Sequence, residues 1–291
     1  MLPSFGKEGL KMVWLLLSIL LPIHSQAAGG DWIGNGGDLL RCWNKEKRAY
    51  DYELLDYYEG RTIRRLVPDL GAANLSFHDK VLFVIDRLAK VNPTRGALYR
   101  AWYETFFEET NFFIEGEFAA IPDTGPIVVP EGCKIRQFAA QLPDEQILPG
   151  DHRYTIDLKL WNEISEETRA GIVLHELVYR EAILNSQMNS KRVRYFTQYI
   201  SSGKIAQFTQ LEMLGLVRTV NFRHVDYFGV PVDLGSARFY SSGGIQSAYA
   251  TGGEWVKPGQ APLPLANRWV SFDEAGRIAS VSDSSSTAPN P

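Results

Sequence analysis

Cysteine is scarce in this chain, with only Cys42 and Cys133 among 291 residues. Their wide separation excludes a C-x-x-C redox pair and argues against a thiolate zinc site. A basic surplus is also missing: 30 Lys and Arg stand against 34 Asp and Glu, for a net charge of −4. Nothing is therefore left over to neutralise phosphates, and nucleic acid is excluded as an expected partner. No long apolar run follows Ile23, so no membrane span is expected in the rest of the chain. A G-x-S-x-G elbow is absent and neither cysteine has a histidine near it in sequence, which leaves serine or cysteine nucleophilic catalysis without support. The glycine-dense stretch Gly29 to Asp38 lacks the Gly-Lys-Ser/Thr ending of a phosphate loop and reads as a flexible lead-in or turn.

The N-terminus offers more. Lys7 and Lys11 precede an apolar run from Met12 to Ile23, and Ser25-Gln26-Ala27 supplies small residues for a signal peptidase. Residues 1–27 are predicted to be a cleaved signal peptide, because the run is too short for a spanning helix of about 20 residues. The remaining 264 residues carry a formal charge of −5 and enough apolar content for a sizeable core. In an exported chain, Cys42 and Cys133 read as one structural disulfide.

Periodicity outlines the body. Leu39 to Trp43 reads as a short strand, and Tyr50 to Arg65 as a helix weakened at Gly60. Phe77 to Val91 reads as a helix capped by Ser76, with Val81, Ile85 and Leu88 on one face. A third helix from Gly96 to Asn111 aligns Leu98, Trp102, Phe106 and Glu109. From Pro126 to Leu142, and again from Tyr154 through Leu158 and Leu160, the pattern alternates as in strands. Ser165 caps a further helix whose first turn holds Glu166 and Glu167, and helical segments are expected at Val193 to Ile200 and Ala206 to Val217. Near the C-terminus, Phe239, Gly243, Ile245 and Ser247 recur 33 residues later as Phe272, Gly276, Ile278 and Ser280, and Pro231-Val232 recurs as Pro264-Leu265. Each unit reads as a β-hairpin turning at glycine and packing on the helical body.

The helix from Thr168 to Leu184 carries the candidate chemistry. Ala170, Val173, Leu174, Leu177, Val178 and Leu184 form an apolar face with Glu181 in its middle, while Gly171, His175, Tyr179 and Ala182 form a second stripe. Arg180 follows Glu176 by one turn and is placed to bridge it. Ser190, Arg192 and Arg194 lie just beyond and offer partners to Glu176 or Glu181.

This His-Glu helix, following what reads as an edge strand, resembles the active-site helix of zincin metallopeptidases. The resemblance implies His175 as a zinc ligand and Glu176 as the catalytic base. Tyr179 stands where that family has its second histidine, so the helix is degenerate, and His152, His224 or an acid elsewhere would have to supply a further ligand. A second resemblance, covering about residues 34–196, is to exported bacterial proteins without an established activity. It rests on GNGGDLLRC, on Gly132, Cys133, Ile135 and Gln137, on Leu160-Trp161, on LHELVYRE, and on Ser190 followed by Arg194.

The expected architecture is α+β: a small sheet on several helices over 32–228, a β-repeat region over 229–282, and a disordered tail over 283–291. Two readings remain open. One is an exported binding or structural protein of the envelope or medium, in which Tyr179, Arg180, Glu181, Ser190 and Arg194 join a buried polar network. The other is a divergent zinc-dependent peptidase or cell-wall hydrolase. The sequence assigns no partner; an envelope component and a peptide are the candidates. Intact-mass measurement of the exported protein should give a chain beginning at Ala28; a product retaining Met1 would remove the signal-peptide reading.

Overall fold

The computed structural model describes residues 34–35, 37–116, 118, 127–186 and 190–283. The expected signal segment 1–27 and the tail beyond Asp283 lie outside them, and the described residues group into one compact unit. The fold is α+β, as expected.

Strand β1 spans Gly34–Asn35, β2 Asp38–Asn44 and β3 Ala49–Leu54. The helix expected from Tyr50 is thus half strand: only α1, Leu55–Glu59, and a π-helical turn at Gly60–Arg64 remain helical. Cross-strand pairing decides this, since Leu54 faces Leu39 and Tyr50 faces Trp43, whose rings meet edge to face at 5.0 Å. Strand β5, Cys133–Gln137, completes a three-stranded sheet in the order β3-β2-β5. Cys42 and Cys133 are directly opposed in its register and are joined by the expected disulfide.

Helix α2, Phe77–Ala89, begins at Ser76, whose Oγ accepts the Asp79 amide, and buries Val81, Ile85 and Leu88. Asn92 caps α3, Pro93–Thr105, which starts earlier than its periodicity suggested because proline is well suited to the first helical position. Its buried stripe is also rotated: Tyr99 and Tyr103 face inward, while Leu98 is 37% exposed. A second sheet has the order β1-β6-β7-β4, from β4 Thr110–Phe113, β6 Ala139–Gln141 and β7 Tyr154–Asp157. Strand β7 is therefore internal, antiparallel to β6 and parallel to β4, and not the edge strand expected.

Two apparent strand patterns fail. Residues 127–130 form no strand and Val128 is 85% exposed. Leu158 and Leu160 belong to α4, Leu158–Glu163, because Asp157 caps it by accepting the Leu160 amide at 3.0 Å and so switches the period from 2 to 3.6. Helix α5, Glu166–Leu184, is capped by Ser165; α6 spans Ser190–Ser201. Helix α7, Gln210–Thr219, opens with a Thr209–Glu212 capping box, later than the expected Ala206.

The C-terminal sheet is antiparallel in the order β14-β13-β10-β9-β8. Its strands are β8 His224–Tyr227, β9 Val230–Phe239, β10 Ile245–Ala250, β13 Arg268–Phe272 and β14 Ile278–Asp283, while β11 Glu254–Trp255 and β12 Leu263–Pro264 pair separately. The 33-residue repeat is visible in its hydrogen bonds. Gly243 N–H donates to Tyr240 and Tyr240 N–H to Gly244, just as Gly276 N–H donates to Asp273 and Asp273 N–H to Arg277. Gly243 and Gly276 take φ values of 89° and 79°, conformations that a side chain disfavours. Phe239 pairs Ile245 as Phe272 pairs Ile278. Asp283 closes β14, so the strand runs one residue into the segment expected as tail. A continuous apolar cluster joins Val173, Leu177 and Phe196 of the helices to Val232, Ile245 and Phe272 of this sheet.

The disulfide closes a loop between residues 91 apart. Replacing both cysteines by serine should lower unfolding free energy in urea by about 4–5 kcal/mol on the chain-entropy account; an unchanged denaturation midpoint would show that the unfolded chain is not restrained by it.

Candidate functional site

Helix α5 has almost no exposed face: every residue from Gly171 to Tyr179 is buried. A charged side chain on such a helix requires a partner from another element. Four polar clusters result.

The first surrounds His175 and Glu176, which are 1% and 0% exposed. His175 Nδ1 and Asp56 Oδ2 on α1 lie 2.8 Å apart. Gly171, one turn earlier, makes this approach feasible, since a Cβ there would stand 2.7 Å from both Leu54 Cδ2 and Tyr57 Oη. Glu176 Oε1 accepts the Gly37 amide at 2.7 Å, and its backbone carbonyl is 3.5 Å from Gln141 Nε2. Tyr179 stacks on His175 with ring centroids 6.1 Å apart. Burial pushes the His175 pKa down, but the charge and hydrogen bond of Asp56 outweigh it and hold the imidazole above its ordinary value. Burial raises the Glu176 carboxyl, against the opposing effects of His175 and the Gly37 amide.

The second cluster is centred on Glu181. Arg95 of α3 donates to it from Nε, at 2.9 Å to Oε2, and from Nη2, at 2.9 Å to Oε1. Tyr99 O–H donates to Oε2 at 2.6 Å, and Arg95 Nη2 also reaches the His224 carbonyl at 2.6 Å. Breaking one side of a buried pair of this kind typically costs about 3–5 kcal/mol. In the third cluster Arg180 meets Glu109 at 3.3 Å and lies 4.9 Å from the Trp102 ring centre. In the fourth, Arg194 pairs with Glu59 at 3.0 Å and bonds Ser190 Oγ, while Gln198 links Glu59 to Arg64.

The residues expected in one network are therefore divided. Arg180 pairs with Glu109 rather than Glu176, because Glu176 points to the Gly37 amide. Arg194 serves Glu59, and Arg192 is exposed. Asp56, Glu59, Arg95 and Tyr99 went unsuspected in the sequence. Asp56 and Glu59 are spaced i, i+3 within LDYYEG, a cue hidden by reading the whole stretch from Tyr50 as one amphipathic helix.

The donor set does not fit the zinc that the zincin resemblance implies. His175 Nε2, Asp56 Oδ1 and Glu176 Oε2 make no hydrogen bond to protein. Yet no three His, Cys, Asp or Glu side chains among the described residues converge as a metal site. Tyr179 cannot replace the second imidazole without losing a phenolic proton whose reference pKa is about 10. His224 belongs to the Arg95 cluster through its carbonyl, and His152 is exposed. Nor do His175 and Glu176 line the cavity of about 520 Å³ beside Arg95 and Glu181, or those of about 390 and 420 Å³ elsewhere.

No family model, no curated protein and no solved structure matches the chain. Among the described residues no helix is long and apolar enough to cross a membrane.

The raised His175 and Glu176 values have a definite sign. Both groups hold a proton more tightly folded than unfolded, so their contribution to stability falls as pH rises, from near 4.5 for Glu176 and near 6.5 for His175. The urea midpoint should fall as pH rises above about 6.5, and His175→Gln should flatten that fall; an identical slope in the variant would dissociate His175 from it.

Proposed function

We propose that this chain is an exported binding or structural protein of the periplasm, cell envelope or surrounding medium. Its His175-Glu176 pair serves as a closed polar joint between α5, α1 and the β1–β2 lead-in, and not as a catalytic centre. The observation that carries this reading is the commitment of both side chains inside the core: His175 to Asp56 and Glu176 to the Gly37 amide, at 1% and 0% exposure. A hydrolase would need those groups to face a substrate. The disulfide between Cys42 and Cys133 and the absence of a membrane-spanning helix among the described residues are compatible with export. The likeness of the GNGGD, GCxIxQ and LHELVYRE segments to exported bacterial proteins supports the same address.

In this reading His175→Ala acts on stability. It leaves Asp56 buried without its partner and should cost about 3–5 kcal/mol, measured by urea unfolding. Elemental analysis of the purified protein should find well under one zinc per chain, before and after incubation with zinc. One tightly held zinc per chain that disappears in His175→Ala would overturn the proposal in favour of a divergent zinc-dependent hydrolase acting on peptide or cell-wall bonds.

A further inference from the structure

One face of the sheet β3-β2-β5 collects cations and aromatic rings. Its register sets Arg41 opposite Tyr52 and Lys134, Trp43 opposite Tyr50, and Arg136 opposite Leu39. Directly opposed residues point to the same side, whereas Asp51 and Glu53 alternate to the other. Trp43 and Tyr50 are 47% and 41% exposed. A cavity of about 420 Å³ lies on this face, bordered by Arg41, Tyr50, Tyr52 and Arg136 and, from the end of β7 and from α4, by Asp157, Lys159 and Glu163. Small-ligand pockets commonly enclose about 300–1,000 Å³.

The carboxylates here already have partners. Asp157 accepts the Leu160 amide at 3.0 Å and meets Arg136 at 3.3 Å, and Glu163 accepts the Tyr52 hydroxyl at 2.8 Å. Burial and that hydrogen bond push the Tyr52 pKa up to about 12, while Arg41 and Arg136 pull it down, so both guanidinium charges are felt at this hydroxyl. Arg41 itself meets no carboxylate. Its guanidinium carbon stands 3.5 Å over the centre of the Tyr50 ring. Its Nε is enclosed, but Nη1 and Nη2 make no hydrogen bond among the described residues and remain open to solvent at the cavity. A guanidinium held flat on a ring offers its outer edge as a preformed fork for one carboxylate. The exposed Lys159 likewise lacks an ion pair among the described residues. Arg41, Arg136 and Lys159 thus stand against Asp157 and Glu163, which leaves a single positive charge and favours an anion.

The walls narrow the anion further. A peptide is poorly served, because β2 is the central strand and its backbone is already paired on both sides. An aliphatic acid would set hydrocarbon against charged walls. A sugar ring carries hydroxyls around its edge for those walls and an apolar C–H face for aromatic rings. Resting on the binding reading above, we infer that this face binds an acidic saccharide, with the carboxylate of a uronate unit on the terminal nitrogens of Arg41 and sugar rings against Tyr50 and Trp43.

Trimers of galacturonate and of mannuronate are suitable probes, with neutral galactotriose and the peptide triglutamate as comparisons. Calorimetric titration at about 0.15 M salt limits attraction by net charge to about 8 Å. At least one uronate trimer should show saturable 1:1 binding, and both comparison compounds should bind at least about tenfold more weakly. Arg41→Lys keeps the charge but loses the planar fork, and should weaken the uronate at least about tenfold. Trp43→Ala removes an exposed ring without touching any charge and should weaken it as well. Both variants should still melt cooperatively. Absence of uronate binding up to about 10 mM, equal binding of galactotriose or triglutamate, or full affinity in either folded variant would each overturn the inference. Zinc content and new reducing ends are read in the same samples. Metal-free protein that neither binds nor cleaves the uronates loses this site while the non-enzymatic reading stands; zinc-dependent cleavage would remove that reading itself.

Discussion

Charge buried on helix α5 is the constraint on which the rest of the structure depends. With the helix buried from Ala170 through Tyr179 and again at Glu181, His175, Glu176 and Glu181 cannot turn toward water, so each meets a different neighbour. Asp56 brings in α1, Gly37 the lead-in to β2, and Arg95 with Tyr99 brings in α3. Apolar packing alone would tolerate many orientations of these elements around α5; the hydrogen bonds select one. Gly171 shows how closely packing and polarity are coupled, since the contact that positions Asp56 exists only where that helix has no side chain.

The same constraint separates the helix from the peptidase pattern it resembles. A catalytic His-Glu pair works at a boundary between protein and substrate, with a metal held by further donors. Here the imidazole is braced by a carboxylate inside the core, and the stacked Tyr179 fills the position one turn on. In the reading proposed above, the pair fixes how helices meet.

Several parts of this arrangement were legible from residues alone. Ser76 and Ser165 signal their helices because a hydroxyl at the cap satisfies an amide that the helix cannot. The 33-residue repeat announced two glycine turns, and their hydrogen bonds coincide at that offset. Other parts misled for equally physical reasons. Tyr50, Tyr52 and Leu54 fit a helix or a strand, and the partner strand β2 decided between them. Leu158 and Leu160 continued an alternation that the Asp157 cap ended. On α3, the periodicity suggested Leu98 as inward, whereas Glu181 draws Arg95 and Tyr99 to that side.

What the sequence determined by itself is local: caps, glycine turns, the apolar periodicity of α5, and a pair of cysteines with no other plausible use. Their signals reside in neighbouring residues and need no knowledge of the fold. What only the tertiary structure decided is which charges meet. Asp56 lies 119 positions from His175, Gly37 139 from Glu176, and Arg95 86 from Glu181. No spacing rule spans such intervals, because the path between them is set by how every intervening element packs.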